Sequence, residues 1–305
     1  MRGALYRARS AWAGLTPNAR GAVWVSLGTV LSSFNDALIK LLGQSVDPIE
    51  MTFFRYAIGC VLMLPVVMHV GIARMRTRRI GWHLFRASSA ALAQVCVYYG
   101  VTHLLLADAT ALAFSRLLFS TVLAAVVLHE AVNRRRWTAT AAGFLGVLVV
   151  MRPGETAIDP AALIAIAGAL IFAAGMVAVP KLATTDSPTQ IIFYNNVLSA
   201  VFIAIPTLII WRTPDLREFL FLLAIGALTT VSINCFIRGF AVGETSVVAP
   251  MEYVRIIYAT IIGFIVFGEL PDGWTGVGAL IIIGSTLYIA RRETRARKAA
   301  RKAPP

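Results

Sequence analysis

Apolar residues in this chain arrive in long blocks rather than in alternation. Ten blocks run approximately over 22–42, 49–71, 80–100, 104–128, 137–151, 160–180, 189–211, 217–238, 246–268 and 274–290. Most have the length that carries a helix across roughly 30 Å of hydrocarbon at about 1.5 Å per residue. They are apolar on every face, whereas strands of a membrane barrel would alternate in polarity over about ten residues. The pattern therefore predicts an all-α integral membrane protein with ten transmembrane helices. The fifth block is short, and a tilt or a thinner bilayer accommodates it.

Composition points the same way. Of the 305 residues 58% are hydrophobic and 14% charged, with a mean hydropathy of +0.75. A soluble domain is typically about 45–50% apolar and about 25% charged. The basic and then apolar N-terminus resembles a secretory signal, but its apolar run is too long and lacks an A-x-A site, so it reads as an uncleaved first helix.

The net charge of +13 raises a nucleic-acid reading, which the positions of the charges remove. Twenty of the 28 Lys and Arg fall on one side of a ten-helix arrangement: 4 near the N-terminus, 4 at 74–79, 3 at 134–136, Lys181, Arg238 and 7 after residue 290. The other side has Arg152, Arg212 and Arg217. The positive-inside rule then places both termini in the cytoplasm. Residues 1–20 read as a basic cytoplasmic N-terminus. The tail 291–305 reads as a basic topology anchor and disordered end, with contact to anionic lipid as its functional variant. Cys60, Cys96 and Cys235 lie in predicted spans and read as packing residues.

The chain repeats itself. A shift of 140 lays "DPIEMTFFRYAIG" (47–59) over "SPTQIIFYNNVLS" (187–199), matching Pro48 to Pro188 and Phe53 to Phe193. A shift of 139 matches Arg116 to Arg255 and Glu130 to Glu269, and "WTATAAGFLG" from Trp137 answers "WTGVGALIIIG" from Trp274. This describes a duplicated five-helix unit, 21–152 and 160–290. Five is odd, so the second copy must be inverted in the membrane. Inverted repeats are a signature of secondary transporters, whose substrate site lies near the midplane between the halves.

Polar residues interrupt the blocks at particular places. "SSFNDALIK" (32–40) puts Asn35, Asp36 and Lys40 in the first span, where a charge costs on the order of 2.5–3.5 kcal/mol. Asp36 and Lys40 are i,i+4 neighbours and are expected to pair. "APMEYVRIIYATI" (249–261) puts Glu252, Tyr253 and Arg255 in the ninth span; Glu252 and Arg255, at i,i+3, are expected to bridge each other. Pro250 is expected to break that helix and free carbonyls that must face a cavity or neighbouring protein. Arg116 has no acid within reach on its own span, and Arg86 sits two turns into the third. Gln94 could bond a substrate or, like Asn195, Asn196 and Asn234, tie helices together. Arg55 could pair with a loop acid such as Asp47.

No catalytic or cofactor signature is present. The histidines at 69, 83, 103 and 129 are scattered, with no H-E-x-x-H and no metal-ligand spacing, and there is no P-loop. "GVGALI" (276–281) fits close helix packing better than a dinucleotide loop. Ala139, Ala142, Gly143 and Gly146 in the fifth span and Gly276, Gly278 and Gly284 in the tenth offer close packing, onto their own bundle rather than a second copy.

"SSFNDALIKLLG", "IEMTFFRYAIG", "HLFRAS", "DATALAFSRLLFSTVLAAVVLHE" and "ETSVVAPMEYVRIIYATIIGFIVFGELPDGWTGVGALIIIG" resemble the EamA-type drug/metabolite transporter superfamily, in the ten-helix branch that includes the S-adenosylmethionine uptake transporters. The resemblance covers about residues 20–292. It implies two inverted five-helix repeats, with helices 1–4 and 6–9 around a central cavity and helices 5 and 10 at the periphery. It also implies transport without ATP by alternating access. Two features depart from the family pattern. "FSRLLFS" lacks the usual proline of helix 4 and offers Arg116, and helix 9 carries its acid before the tyrosine and its base after it, with the signs exchanged.

The expected protein is a secondary transporter in the cytoplasmic membrane, not an enzyme, and it needs no cofactor. Its substrate is a small charged or zwitterionic metabolite, bound by Asn35, Asp36, Lys40, Arg86, Gln94, Arg116, Glu252, Tyr253 and Arg255. Uptake of an S-adenosylmethionine-like compound is the first reading, and export of amino-acid-like metabolites or drugs the second. A lipid-linked substrate flippase or a membrane-embedded enzyme is the reading from another class. Partners are the metabolite and membrane lipid, with no nucleic acid, and the chain acts as a monomer or homodimer.

Overall fold

The computed structural model describes residues 15–71, 75–127, 134–152, 159–244 and 248–302. All regular structure among them is helical: α1 (Pro17–Leu42), α2 (Pro48–Val70), α3 (Ile80–His103), α4 (Leu106–Ala113), α5 (Ser115–Val126), α6 (Arg134–Met151), α7 (Pro160–Met176), α8 (Ala178–Leu182), α9 (Pro188–Ile210), α10 (Leu216–Val242), a 3-10 turn (Ala249–Val254), α11 (Arg255–Phe267) and α12 (Gly273–Lys302). Seven stretches are long and apolar enough to cross a membrane, and Trp137–Met151 and Gly273–Tyr288 are shorter apolar helices. Large hydrophobic side chains such as Met68, Leu208, Ile209 and Ile265 stand exposed on the outside, as a lipid-facing surface requires.

Helix starts follow from sequence chemistry. Thr16, Asp47, Asp159 and Ser187 each stand before a proline, and each side chain accepts a backbone N–H of the first turn. Proline at the first position forfeits only a donor that would be orphaned anyway. Ser187 with Gln190 and Asp215 with Glu218 form reciprocal capping boxes. Pro65 and Pro206 sit inside α2 and α9.

The helices pair across the two halves of the chain: α1 on α10, α3 on α7, α2 on α9, α6 on α12, and α11 on α1 and α4. Glycines set the closest approaches. A Cβ on Gly21 would lie 2.9 Å from the Gly239 carbonyl, and one on Gly239 would lie 3.0 Å from that of Gly21. A Cβ on Gly146 would meet the Gly278 oxygen at 2.9 Å, and the reverse approach is 2.7 Å. The fifth and tenth spans thus pack on each other within one chain. Gly276 and Gly284 have nothing within 4 Å, so of the three tenth-span glycines only Gly278 serves that contact. Cys60, Cys96 and Cys235 are free thiols; Cys96 packs against Gly168 and Cys235 against Gly28.

Two expectations about elements change and one holds. The fourth span is broken into α4 and α5 at Phe114 without a proline. The ninth opens as a 3-10 turn around Pro250, as expected, and becomes α-helical at Arg255. The tail is helical to Lys302 rather than disordered, because Ala, Arg, Lys and Glu are strong helix formers and nothing breaks the helix before Pro304. Glu130 lies outside the described residues.

Contacts between linkers define the two ends of the bundle. One end gathers Lys40, Leu104, Arg152, Arg212, Glu218, Glu269 and Asp272, and is called here the Glu269 end. The other gathers Arg76, Thr77, Arg79, Lys181 and Asp186, and is the Asp186 end.

Candidate functional site

The interior charges are met across the halves rather than along single helices. Arg255, the first residue of α11, donates from Nη2 at 2.6 Å and from Nε at 3.1 Å to Oδ2 of Asp36 on α1. Asp36 is 5% exposed. Arg116, the second residue of α5, pairs with Glu252 of the 3-10 turn and lies over the Phe172 ring at 5.8 Å. Glu252 also acts electrostatically on Arg255, and Arg116 on Asp36. Asp36, Arg255, Glu252 and Arg116 therefore form one alternating set.

Two expected pairs are corrected by this arrangement. Asp36 does not bridge Lys40, and Glu252 does not bridge Arg255. Lys40 instead pairs with Glu269, donates to the Leu104 carbonyl, and sits 5.4 Å from the Phe267 ring. The long lysine side chain near the end of α1 reaches the end of the bundle, while the short aspartate one turn earlier faces α11. Arg116, expected to lack an acid, has Glu252 because the tertiary fold supplies what its own span does not.

Both arginines stand immediately after a helix break. Those breaks touch: Phe114 and Tyr253, also 139 residues apart, pack ring to ring at 5.1 Å. Tyr253 is 7% exposed. Repeat-equivalent residues in mutual contact mark the place where the halves meet. The broken helices free backbone groups at that level, and charged side chains collect there for the same reason.

The other candidates are placed as follows. Asn35 is buried with its Oδ1 unbonded. Arg86 is half-buried on α3; one Nη donates to the Met176 sulfur at 3.4 Å and its Nε has no partner. Gln94 is half-buried and makes no hydrogen bond among the described residues. Asn196 ties α9 to α2 through the Met63 sulfur at 3.3 Å, whereas Asn234 bonds its own helix at Thr230 and Asn195 leaves its Oδ1 unbonded. Arg55 does not pair with Asp47; its Cζ lies 4.3 Å from the Tyr56 ring. Sequence reasoning missed Glu269 as the partner of Lys40, and it missed Phe114, Tyr98 and Thr229. The 139-residue shift that matched the arginines would have found Phe114.

Electrostatics at the Asp186 end are also ordered. Asp186 Oδ2 accepts from Thr77 at 2.7 Å and lies 2.7 Å from Nε2 of the buried His83. Burial raises the Asp186 carboxyl, but the Thr77 and His83 hydrogen bonds and the His83 charge outweigh it and hold it below its ordinary value. At the Glu269 end, burial acts upward on Asp272 while hydrogen bonds from Thr275 and the Arg152 charge bring it below normal. A separate cavity of about 350 Å³ between α11 and α12 has walls that are apolar apart from Thr260, Asp272 and Thr275, and none of the interior arginines lines it.

Comparison with known proteins agrees with this architecture. The EamA-like transporter family matches residues 19–152 and again 159–291. The chain is 29% identical over 273 residues to the S-adenosylmethionine uptake transporter of Rickettsia prowazekii, covering 90% of this chain and 93% of that protein. It is 28% identical to the riboflavin transporter of Vibrio cholerae, over 90% of this chain and 94% of that one. It is also 28% identical to the pseudopaline exporter of Pseudomonas aeruginosa, over 89% and 96% respectively. One solved crystal structure superposes with a TM-score of 0.61 over 90% of this chain and 99% of its own, at 17% identity, a likeness of fold alone. With both segments matched and transporters along nearly the whole length, the chain belongs to the EamA-like transporter family and is a multi-pass inner-membrane transporter of a small molecule, not an enzyme.

Proposed function

We propose that this transporter is a secondary carrier of a small charged or zwitterionic metabolite, in the manner of S-adenosylmethionine uptake, working by alternating access between two inverted five-helix repeats. The repeats are 21–152 and 160–290, ten membrane helices in all, with residues 1–20 and 291–305 in the cytoplasm. Support comes from the crosswise helix pairing and from Phe114 meeting its repeat mate Tyr253. The observation that carries the reading is the alternating set Asp36, Arg255, Glu252 and Arg116 at the paired helix breaks.

Each of those charges would be costly alone in hydrocarbon, and together they are neutral. A zwitterion presents both signs at short range, so it can exchange partners with such a set without leaving a charge unmatched. Asn35, Gln94 and Arg86 supply further donors and acceptors, and Tyr253 an apolar wall with a polar tip. The substrates named for the relatives differ, so the substrate is assigned from these charges and from the S-adenosylmethionine relatives together.

The test is uptake by proteoliposomes carrying the purified protein, with labelled S-adenosylmethionine and labelled riboflavin offered separately. The reading expects saturable S-adenosylmethionine uptake that excess unlabelled compound abolishes and that needs no ATP. Riboflavin uptake without S-adenosylmethionine uptake would overturn the charged-substrate assignment.

A further inference from the structure

Lys40, Arg116 and Arg255 each meet a carboxylate, whereas the half-buried Arg55 and Arg86 do not. Arg55 leaves Nε and one Nη unbonded and buried, and Arg86 leaves its Nε so. Neither arginine has a carboxylate partner among the described residues. The alternating set is neutral in itself, and the buried carboxylate of Glu50, five residues before Arg55 on α2, makes no ion pair with either arginine among the described residues.

Their surroundings hold further polar groups. Tyr98, 2% exposed, has its hydroxyl beside that of Thr229, and neither hydroxyl reaches any other partner among the described residues. Arg55 and Asp36 both lie within electrostatic reach of Tyr98. Tyr56 covers one face of the Arg55 guanidinium at 4.3 Å and leaves its edge N–H groups available. Arg86 is near enough to interact electrostatically with the same Tyr56. On α9, Asn195, the repeat mate of Arg55, has an unbonded buried Oδ1.

The two arginines lie at different depths. Arg55 is the eighth residue of α2, which starts at the Glu269 end, and Arg86 the seventh of α3, which starts at the Asp186 end. At about 1.5 Å per residue each lies roughly 10 Å from its own end, with Tyr56 between them.

We propose that Arg55 and Arg86 are two successive stations for the carboxylate of the transported metabolite, Arg55 meeting it from the Glu269 end and Arg86 from the Asp186 end. This rests on the transport reading above. A guanidinium edge presents parallel N–H donors that a carboxylate accepts two at a time. Tyr98 and Thr229 add hydroxyl donors at the Arg55 station. The ligand brings the negative charge that the protein withholds, and the alternating set takes its positive end.

The stations are tested first with simple anions, so that the result does not depend on the substrate assignment. Lipid-free protein in detergent is titrated with acetate, with inorganic phosphate and with phosphatidylglycerol, and its Tm is followed. Wild type should rise with acetate, Arg55→Gln and Arg86→Gln should each lose part of the rise, and the double variant all of it. Arg55→Lys and Arg86→Lys, which keep the charge and guard against misfolding, should keep part of it. An equal acetate rise in wild type and double variant would overturn the proposal. Stabilisation by phosphate or phosphatidylglycerol without acetate would also overturn it, as a phosphate or lipid-headgroup site. Second, uptake is compared for S-adenosylmethionine and its decarboxylated analogue. Wild type should favour the carboxylated compound at least tenfold in KM, and the double variant should lose that preference. A preference that persists in the double variant counts against the stations. If wild type carries neither compound, the substrate assignment fails, and the acetate titration alone decides the stations.

Discussion

At the scale of the residue, what matters is which charge meets which. Asp36 is buried and Arg255 half-buried in the bundle, and removing one partner of such a pair leaves the other unmatched, at a cost of up to about 3–5 kcal/mol. Asp36→Asn is therefore expected to lower Tm by several degrees and abolish transport. Adding Arg255→Gln to it should restore much of the stability and none of the transport, which a thermal melt beside an uptake assay checks. Recovery of both would assign the pair to structure alone. The same cycle applies to Glu252 and Arg116. The sequence made these four residues legible because ionisable groups are rare in membrane spans, but it mispaired them. Spacing of i,i+4 reports neighbours on one helix, whereas Asp36 and Arg255 are 219 residues apart and meet only once α1 and α11 pack.

At the scale of the element, helix starts were legible and helix breaks only partly so. A capping residue followed by proline announces α1, α2, α7 and α9 in the sequence itself. Pro250 likewise announces the 3-10 turn. Nothing local announces the break at Phe114, since it coincides with a tertiary contact to Tyr253. Glycine carries the same lesson, because equal residues at neighbouring positions have unequal roles. Gly276→Ala has open space and gains about 1 kcal/mol of helix propensity at most, so its Tm should hold or rise. Gly278→Ala drives a Cβ to 2.7 Å from the Gly146 carbonyl and should lower Tm by prying α6 from α12. Equal melts for the two variants would contradict that packing. At Gly268 the backbone is left-handed, φ 68°, which turns the chain out of α11 so that Glu269 can reach Lys40.

The tie between His83 on α3 and Asp186 before α9 belongs to the same scale. The Asp186 carboxyl is depressed in the folded protein, so its stabilisation is complete above the ordinary aspartate value of 3.8 and is lost as pH falls through the lower folded value. Asp186→Asn should thus melt below wild type at neutral pH, and the gap should narrow as the buffer is taken below pH 3.8. A gap that stayed constant would mean that Asp186 acts through packing rather than charge.

At the scale of the whole molecule, ties hold both ends of the bundle: Lys40 with Glu269 and Leu104 at one, Asp186 with His83 and Thr77 at the other. The positions of the basic residues made the two sides legible, but not which side chains close them, because closure joins segments more than 100 residues apart. A carrier that exposes one site alternately to two sides must open one of these ties in each half-cycle, and a ligand that prefers the open form draws the population toward it. The Glu269 end offers the simpler test, since Lys40 and Glu269 meet directly as one ion pair between the halves of the chain. With Cys60, Cys96 and Cys235 replaced by serine, Lys40→Cys and Glu269→Cys can be joined by a short bifunctional thiol reagent. Each single-cysteine protein treated alike should keep the transport it had before treatment, while the joined protein should fall to background and recover when a cleavable linker is reduced. If the joined protein still transports, the Glu269 end does not open during the cycle. The pathway would then have to leave the bundle elsewhere, sideways between helices toward the lipid.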